Sequence, residues 1–189
     1  MQTFLMILAD GFEEIEALGT LDLLRRAGVS VQTVALGATL AVRGAHGITV
    51  ETEGLFGALG ERLEAFDGVI LPGGMGGATA LSQDAAVLAW IRRLDAAGKW
   101  VTAICAAPAL VLTAAGVLGD SGRQATCYPA PDFVRALGAD YVGGAAVRCG
   151  HVITGAGPGA FGAFAREIAV AVCGEAMVRR VWGEALMEG

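Results

Sequence analysis

Short, uninterrupted apolar runs recur along this chain, and each is followed by a segment with helical spacing. The first run, Phe4-Leu-Met-Ile-Leu-Ala, offers no polar residue to either face of an extended strand. A strand of that kind must be covered on both sides, as in a parallel sheet, unlike the half-wet strands of most antiparallel ones. The pattern predicts strands over residues 3–9, 29–36, 68–71 and 99–104. It predicts helices over residues 13–27, 85–97, 106–114, 130–137, 158–172 and 175–186, with Gly28 and Gly98 as stop signals. Two hairpins are expected, 39–42 with 48–51 and 145–148 with 151–154. Strands alternating with helices imply an α/β fold, a mostly parallel sheet with helices on both faces. No linker or repeat interrupts the pattern, so residues 1–189 are expected to form one domain.

Composition removes several classes of function. Hydrophobic residues make up 54% and charged residues only 17%, which calls for a dense core, a subunit interface, or both. The net charge is −6 and no basic run occurs, so nucleic-acid binding is set aside. Residues 100–119 form an uncharged run of 20, long enough to span a bilayer. Pro108 and Gly116 interrupt it and no basic cluster flanks it, so a strand followed by a buried helix is the better account and no membrane partner is expected. The N-terminal apolar run has no basic residues before it and stops at Asp10, unlike a signal peptide. Cysteines at 105, 127, 149 and 173 show no C-x-x-C spacing. Neither a metal site nor a disulfide framework is expected, and a reducing cytoplasm is the simplest location. Gly155-Ala-Gly-Pro-Gly-Ala formally matches a dinucleotide fingerprint, but it lies near the C-terminus with a proline inside it. It is read as a turn and helix start, and no cofactor is expected.

Chemistry concentrates at Cys105. The apolar stretch ending at Ile104 runs straight into this cysteine, then into Ala106-Ala-Pro and a helix-forming segment. That is the pattern of a nucleophile elbow, in which a strand turns sharply into a helix and leaves the reactive side chain at its mouth. Helix N-termini carry partial positive charge, so a thiol there is expected to ionise more easily than a free one. The plainer alternative is a buried cysteine acting as a small hydrophobe.

Glu16, in Asp10-Gly-Phe-Glu-Glu-Ile-Glu, shares a helical face with Gly19, Thr20 and Leu23. A carboxyl on such a face tends to stay protonated or to find a partner. Glu13 and Glu14 read as ordinary helix-dipole partners, and Asp22 with Arg26 as an i,i+4 pair. Gly73 and Gly74 follow a strand, where backbone N–H groups can point into a cavity and form an oxyanion hole with Ala106 N–H. Only two histidines occur. His151 opens a strand, away from the strand ends, whereas His46 sits in a hairpin loop that can reach over the site or simply be solvated. Tyr128 is a better-placed polar neighbour, and Cys127 beside it is either a second thiol near the site or core.

Six stretches, in order, match one family: Ala9-Asp-Gly-Phe-Glu-Glu-Ile-Glu, Leu24-Arg-Arg-Ala-Gly, Leu71-Pro-Gly-Gly, Ala103-Ile-Cys-Ala-Ala-Pro, Ala125-Thr-Cys-Tyr-Pro and Gly157-Pro-Gly. Over almost its full length the chain resembles the ThiJ/PfpI superfamily, in its DJ-1-like branch. The resemblance implies a flavodoxin-like three-layer sandwich, usually a homodimer. It implies a reactive, oxidation-prone cysteine at Cys105 and a hydrogen-bonding acid at Glu16. It also implies backbone donors at Gly74 and Ala106, and an arginine near the site or dimer interface at Arg26. Two departures matter. The parkinsonism-associated member carries a histidine where this chain has Tyr128, and the protease-like branches carry one where it has Ala106. The second argues against a peptidase or glutamine amidotransferase.

The expected function is a cofactor-free thiol enzyme of stress protection, acting on small reactive carbonyls such as methylglyoxal or its early protein adducts. That is a glyoxalase- or deglycase-like activity. The alternative is a non-enzymatic oxidative-stress sensor or holdase chaperone, in which Cys105 climbs to sulfenic or sulfinic acid. A link to thiamine-thiazole metabolism, taken from family naming, ranks last because no phosphate site is visible.

Overall fold

A computed structural model describes residues 2–187. The central sheet has seven strands. They are β1 (Thr3–Leu8), β2 (Ser30–Ala35), β5 (Gly54–Leu55), β6 (Gly68–Leu71), β7 (Trp100–Ile104), β8 (Ala146–Cys149) and β9 (Val152–Gly155), in the order β5-β2-β1-β6-β7-β9-β8. Every pairing is parallel except β8 with β9. A separate hairpin joins β3 (Ala41–Arg43) to β4 (Thr49–Glu51).

The apolar first run does what its composition requires. Phe4, Met6 and Leu8 are buried against Leu23, Leu24, Phe164 and Ile168. These belong to α1 (Thr20–Arg26) and α5 (Phe161–Cys173), joined on that face by α6 (Glu175–Glu184). Leu5, Ile7 and Ala9 face the other layer, with Leu81, Trp90 and Leu94. That layer holds α2 (Met75–Gln83), α3 (Ala85–Ala96), a π-helical segment Pro108–Leu112 and α4 (Pro131–Leu137). The result is the flavodoxin-like three-layer arrangement, with a core on each side of the sheet. None of the described helices is long and apolar enough to cross a membrane, and residues 100–119 form β7, the elbow and the π-helical segment.

Several elements differ from the sequence expectation. The helix expected over 13–27 begins as a π-helical segment, Ile15–Gly19, before continuing as α1. Gly28 ends it at a φ of +81°. The segment after Pro158 opens with a 3-10 turn, Pro158–Ala160, and α5 starts only at Phe161. Helix α2 is not foreseen at all. Its stretch Met75-Gly-Gly-Ala-Thr-Ala-Leu carries glycines that lower helix propensity. Packing explains them: a side chain at Gly76 would come within 2.9 Å of Asp10 O, and one at Gly77 within 3.0 Å of the Phe12 backbone. The glycines let α2 press directly on the loop after β1.

Trp90 anchors the α3 layer. It is fully buried and meets Phe56 and Phe66 at ring-centroid distances of 6.1 and 6.4 Å. Its Nε1–H has no hydrogen-bond partner. Trp90→Ala should therefore cost about 3–5 kcal/mol in urea unfolding. Trp90→Phe should cost much less, because it also removes an unpaired buried N–H. Equal losses in both variants would contradict this account.

Candidate active site

The site lies at the carboxyl ends of β1, β6, β7 and β9. Strand order reverses between β1 and β6, since the chain moves outward from β1 to β2 and then back across to β6 and β7. Open α/β sheets place their crevices at such points.

Cys105 sits at the end of β7 with a φ of +65°, in the left-handed region that a β-carbon disfavours. Strain of this kind costs about 1–3 kcal/mol and persists only where the surroundings impose it. Here both backbone groups are pinned. Cys105 N–H donates to Gly155 O at 2.9 Å, and its carbonyl accepts from Tyr128 N at 2.9 Å. The elbow is thus real in geometry, and the side chain is half-buried. The backbone N–H groups of Gly74 and Ala106 lie near enough to the sulfur to favour its charged form.

Glu16 comes from the π-helical segment after β1 and is 0% exposed. Its Oε2 accepts from Gly73 N at 2.8 Å. Its Oε1 has no well-formed hydrogen bond, although the carboxyl lies close enough to Cys105 for each group to shift the other's ionisation. The glycines are dictated by space. A side chain at Gly73 would meet Cys105 Cβ at 2.6 Å and Glu16 Oε2 at 2.7 Å. Gly74 has a φ of +83°, and a side chain there would collide with the carbonyl of Gly11. Glu13 ties the two loops together: its N–H donates to Gly73 O at 3.1 Å, and its Oε2 accepts from Glu16 N at 2.8 Å. Sequence reasoning missed this clamp, although the Glu13–Glu16 spacing of a helix-capping pair was a visible signal.

Burial pushes the Glu16 carboxyl up to about 7, against the opposing influence of the nearby Cys105 thiol and the hydrogen bond from Gly73. Burial, and then the Glu16 charge, push the Cys105 thiol up to about 12, while the Gly74 and Ala106 N–H groups pull it down. The thiol is therefore not acidified in the way that a helix N-terminus alone suggests. Removal from water outweighs the dipole, and the first turn is not a regular α-helix. Glu16 and Cys105 cannot both carry charge near neutrality, so the pair loses one proton before the other.

The remaining expected residues divide. Tyr128 touches the site through its backbone, is 47% exposed, and lies beside Gly157, where a side chain would come within 3.2 Å of its ring. Cys127 is wholly buried in the α3-side core, the plainer of its two readings. The imidazole of His46 is 70% exposed, with Nδ1 2.7 Å from Glu14 Oε2, and this pairing raises its pKa. It ties the β3–β4 hairpin to Glu14 and makes no hydrogen bond to Cys105 or Glu16. Arg26 pairs with Asp22 at 2.8 Å on an exposed face, as its i,i+4 spacing suggests. It lines a surface cleft with Gly19, Phe161 and Glu184, away from the Cys105–Glu16–Gly73 cluster. His151 bonds Asp95 at 2.8 Å, just before β9 begins, at the opposite end of the sheet.

This is a doubly wound α/β domain presenting a strained cysteine against a buried carboxyl. The chain belongs to the DJ-1/PfpI family, whose model matches residues 2–171. It is 36% identical over 180 residues to protein dj-1beta of Drosophila melanogaster, covering 94% of this chain and 92% of that one. It is 32% identical over 163 residues to a Thermococcus kodakarensis protein named as a deglycase, covering 86% and 95%. Among solved structures, Toxoplasma gondii DJ-1 in an oxidized form superposes with a TM-score of 0.93 at 31% identity, covering both chains fully. A DJ-1 superfamily protein of Salmonella typhimurium gives a TM-score of 0.90 at 37% identity, again covering both chains fully.

The raised pKa of Glu16 has a consequence for stability. Between about pH 4.5 and 7 the folded protein holds this proton while the unfolded chain releases it, so stability falls as pH rises through that window. The loss attributable to Glu16 approaches about 3 kcal/mol above pH 7. Glu16→Gln keeps an acceptor for Gly73 N–H and removes the titration. Urea unfolding at pH 5 and pH 8 should show the variant gaining on wild type at the higher pH. A constant difference would count against the raised carboxyl.

Proposed function

We propose that the protein is a cofactor-free thiol enzyme that converts small 2-oxoaldehydes, or the early adducts they form with proteins, to the corresponding 2-hydroxy acids. The observation that carries this is Glu16: a buried carboxyl, held by one oxygen and free at the other, set against the elbow sulfur. A protein adduct first expels its amine or thiol, which takes the carbinol proton, and frees the aldehyde; as Cys105 Sγ adds to the aldehyde carbon, the thiol proton passes to the Glu16 carboxylate. The alkoxide of the hemithioacetal takes the N–H groups of Gly74 and Ala106. Glu16 returns the proton to that oxygen, then moves the former aldehyde hydrogen to the neighbouring carbon through an enediol. The resulting 2-hydroxy thioester is hydrolysed by water to the acid and the free thiol. No electrons leave the substrate–water system, so no external oxidant is needed. The Thermococcus relative named as a deglycase supports this choice of substrate class.

Lactate formation from methylglyoxal tests the proposal. Cys105→Ala should abolish it, and Glu16→Gln should lower kcat/KM by about 10²–10⁴. In wild type, kcat/KM should rise with pH through about 7, as the Glu16 carboxyl loses its proton and becomes a base. Equal rates in wild type and Cys105→Ala would end the proposal.

A second reading has its own support. A protonated Glu16 can donate a hydrogen bond to an oxidised sulfur, which favours a sensor that stores a sulfinate on Cys105. Selective sulfinate formation at Cys105 under mild peroxide, with negligible turnover, is the outcome that would favour it. Under either reading we propose a cytoplasmic homodimer. Exposed Ile15 and Ile48, on segments joined through Glu14, are an apolar surface suited to a second copy.

A further inference from the structure

Among the described residues, three buried side-chain polar atoms have no hydrogen-bond partner, and two of them stand on one helical turn. They are Glu16 Oε1 and Thr20 Oγ1, both on residues that are 0% exposed. Residues four apart on a helix lie on one face, with β-carbons about 5–6 Å apart. Each Cα–Cβ bond leans toward the helix N-terminus, which aims Thr20 back over Glu16. The π-helical segment Ile15–Gly19 occupies the turn between them. Its rotation is fixed from outside, since Gly19 packs so closely on the Phe161 ring that a β-carbon there would come within 2.6 Å of it. The buried stripe continues with Leu23, Leu24 and Ala27, all apolar, so the carboxyl and the hydroxyl are its two polar members. A lone hydroxyl removed from water without a partner is unfavourable, as is an unpartnered carboxyl oxygen, and a mutual link relieves both.

We propose that Thr20 is a positioning residue for the Glu16 carboxyl, its hydroxyl holding Oε1 through one internal water. This rests on the pairing of Glu16 with Cys105 argued above and extends it. Gly73 N–H occupies Oε2, so the acid proton belongs on Oε1, the oxygen left to serve the sulfur. The water held by the Thr20 hydroxyl then donates to the remaining lone pair of Oε1 and fixes the direction in which that proton points. The groups that act on the Glu16 charge are Cys105 at the elbow, the Gly73 N–H after β6 and Glu13 on its own segment, while α5 presents the Phe161 ring. A hydroxyl bond favours the ionised carboxyl, so its removal raises the pH at which the pair first ionises.

The test needs no substrate. The rate of Cys105 alkylation by iodoacetamide is measured against pH in the full-length protein, with the modified cysteine identified by mass spectrometry. Wild type should show an inflection near pH 7. Thr20→Val, of the same shape but without the hydroxyl, should move it upward by roughly 0.5–1 pH unit. Thr20→Ser should restore it. Should Thr20→Val fail to fold, Thr20→Ala gives the same readout with a smaller side chain. A wild-type inflection that does not move in the hydroxyl-free variant overturns the role of Thr20 alone. Absence of any inflection in wild type overturns the coupling of Glu16 to Cys105, and the role of Thr20 with it.

Discussion

The carboxyl of Glu16 has no access to bulk water, and the N–H of Gly73 is what holds it. A carboxyl buried without such a donor would cost the fold several kcal/mol. The N–H can point there because nothing else occupies the space: residue 73 has no side chain, residue 74 takes a φ open mainly to glycine, and Glu13 N–H fastens the carbonyl of Gly73. The helix that carries Glu16 and the loop that receives it are thereby one unit, built from the ends of two adjacent parallel strands. The elbow completes it from a third strand, clamped in turn by Gly155 from a fourth.

The same burial sets the chemistry. A thiol pushed upward does not make an inert site when the group beside it titrates near neutrality. Pairs of titratable groups whose environments drive them apart divide the work of acid and base between them. Under the proposed mechanism the carboxylate receives the proton as the sulfur attacks, so the thiolate never has to persist in the free site. The N–H groups of Gly74 and Ala106 stand near the sulfur, and such donors suit an alkoxide as well as a sulfur anion.

How much of this could be read from sequence follows the range of the interactions. Strands β1, β6 and β7 were legible because a buried parallel strand announces itself by an unbroken apolar run. Glu16 was legible because a carboxyl on an apolar helical face is out of place. Helix α2 was hidden because its glycines satisfy a contact with the loop after β1, a requirement that propensity cannot register. Glu13 looked like a dipole partner because its clamp on Gly73 joins residues 60 positions apart, whereas the capping contact with Glu16 is local. The acidity of Cys105 was misjudged because the dipole is a local property and burial a global one. The resemblance placed Arg26 near the site or an interface, while its own i,i+4 spacing with Asp22 gave the pair that forms.

Tyr128 gives these observations their functional weight. It stands where the resemblance places a histidine, so no imidazole is present at that position. His46, the nearest alternative in sequence terms, is bound to Glu14 on the hairpin side. Under the proposed mechanism proton transfer at the sulfur therefore falls to one carboxyl, and the precision of that carboxyl's placement matters more than in a site with two bases. A π-helical turn and a glycine-lined loop each constrain Glu16 from a different direction, and the proposed link to the Thr20 hydroxyl adds a third. Their convergence on a single side chain is what a site with one proton carrier requires.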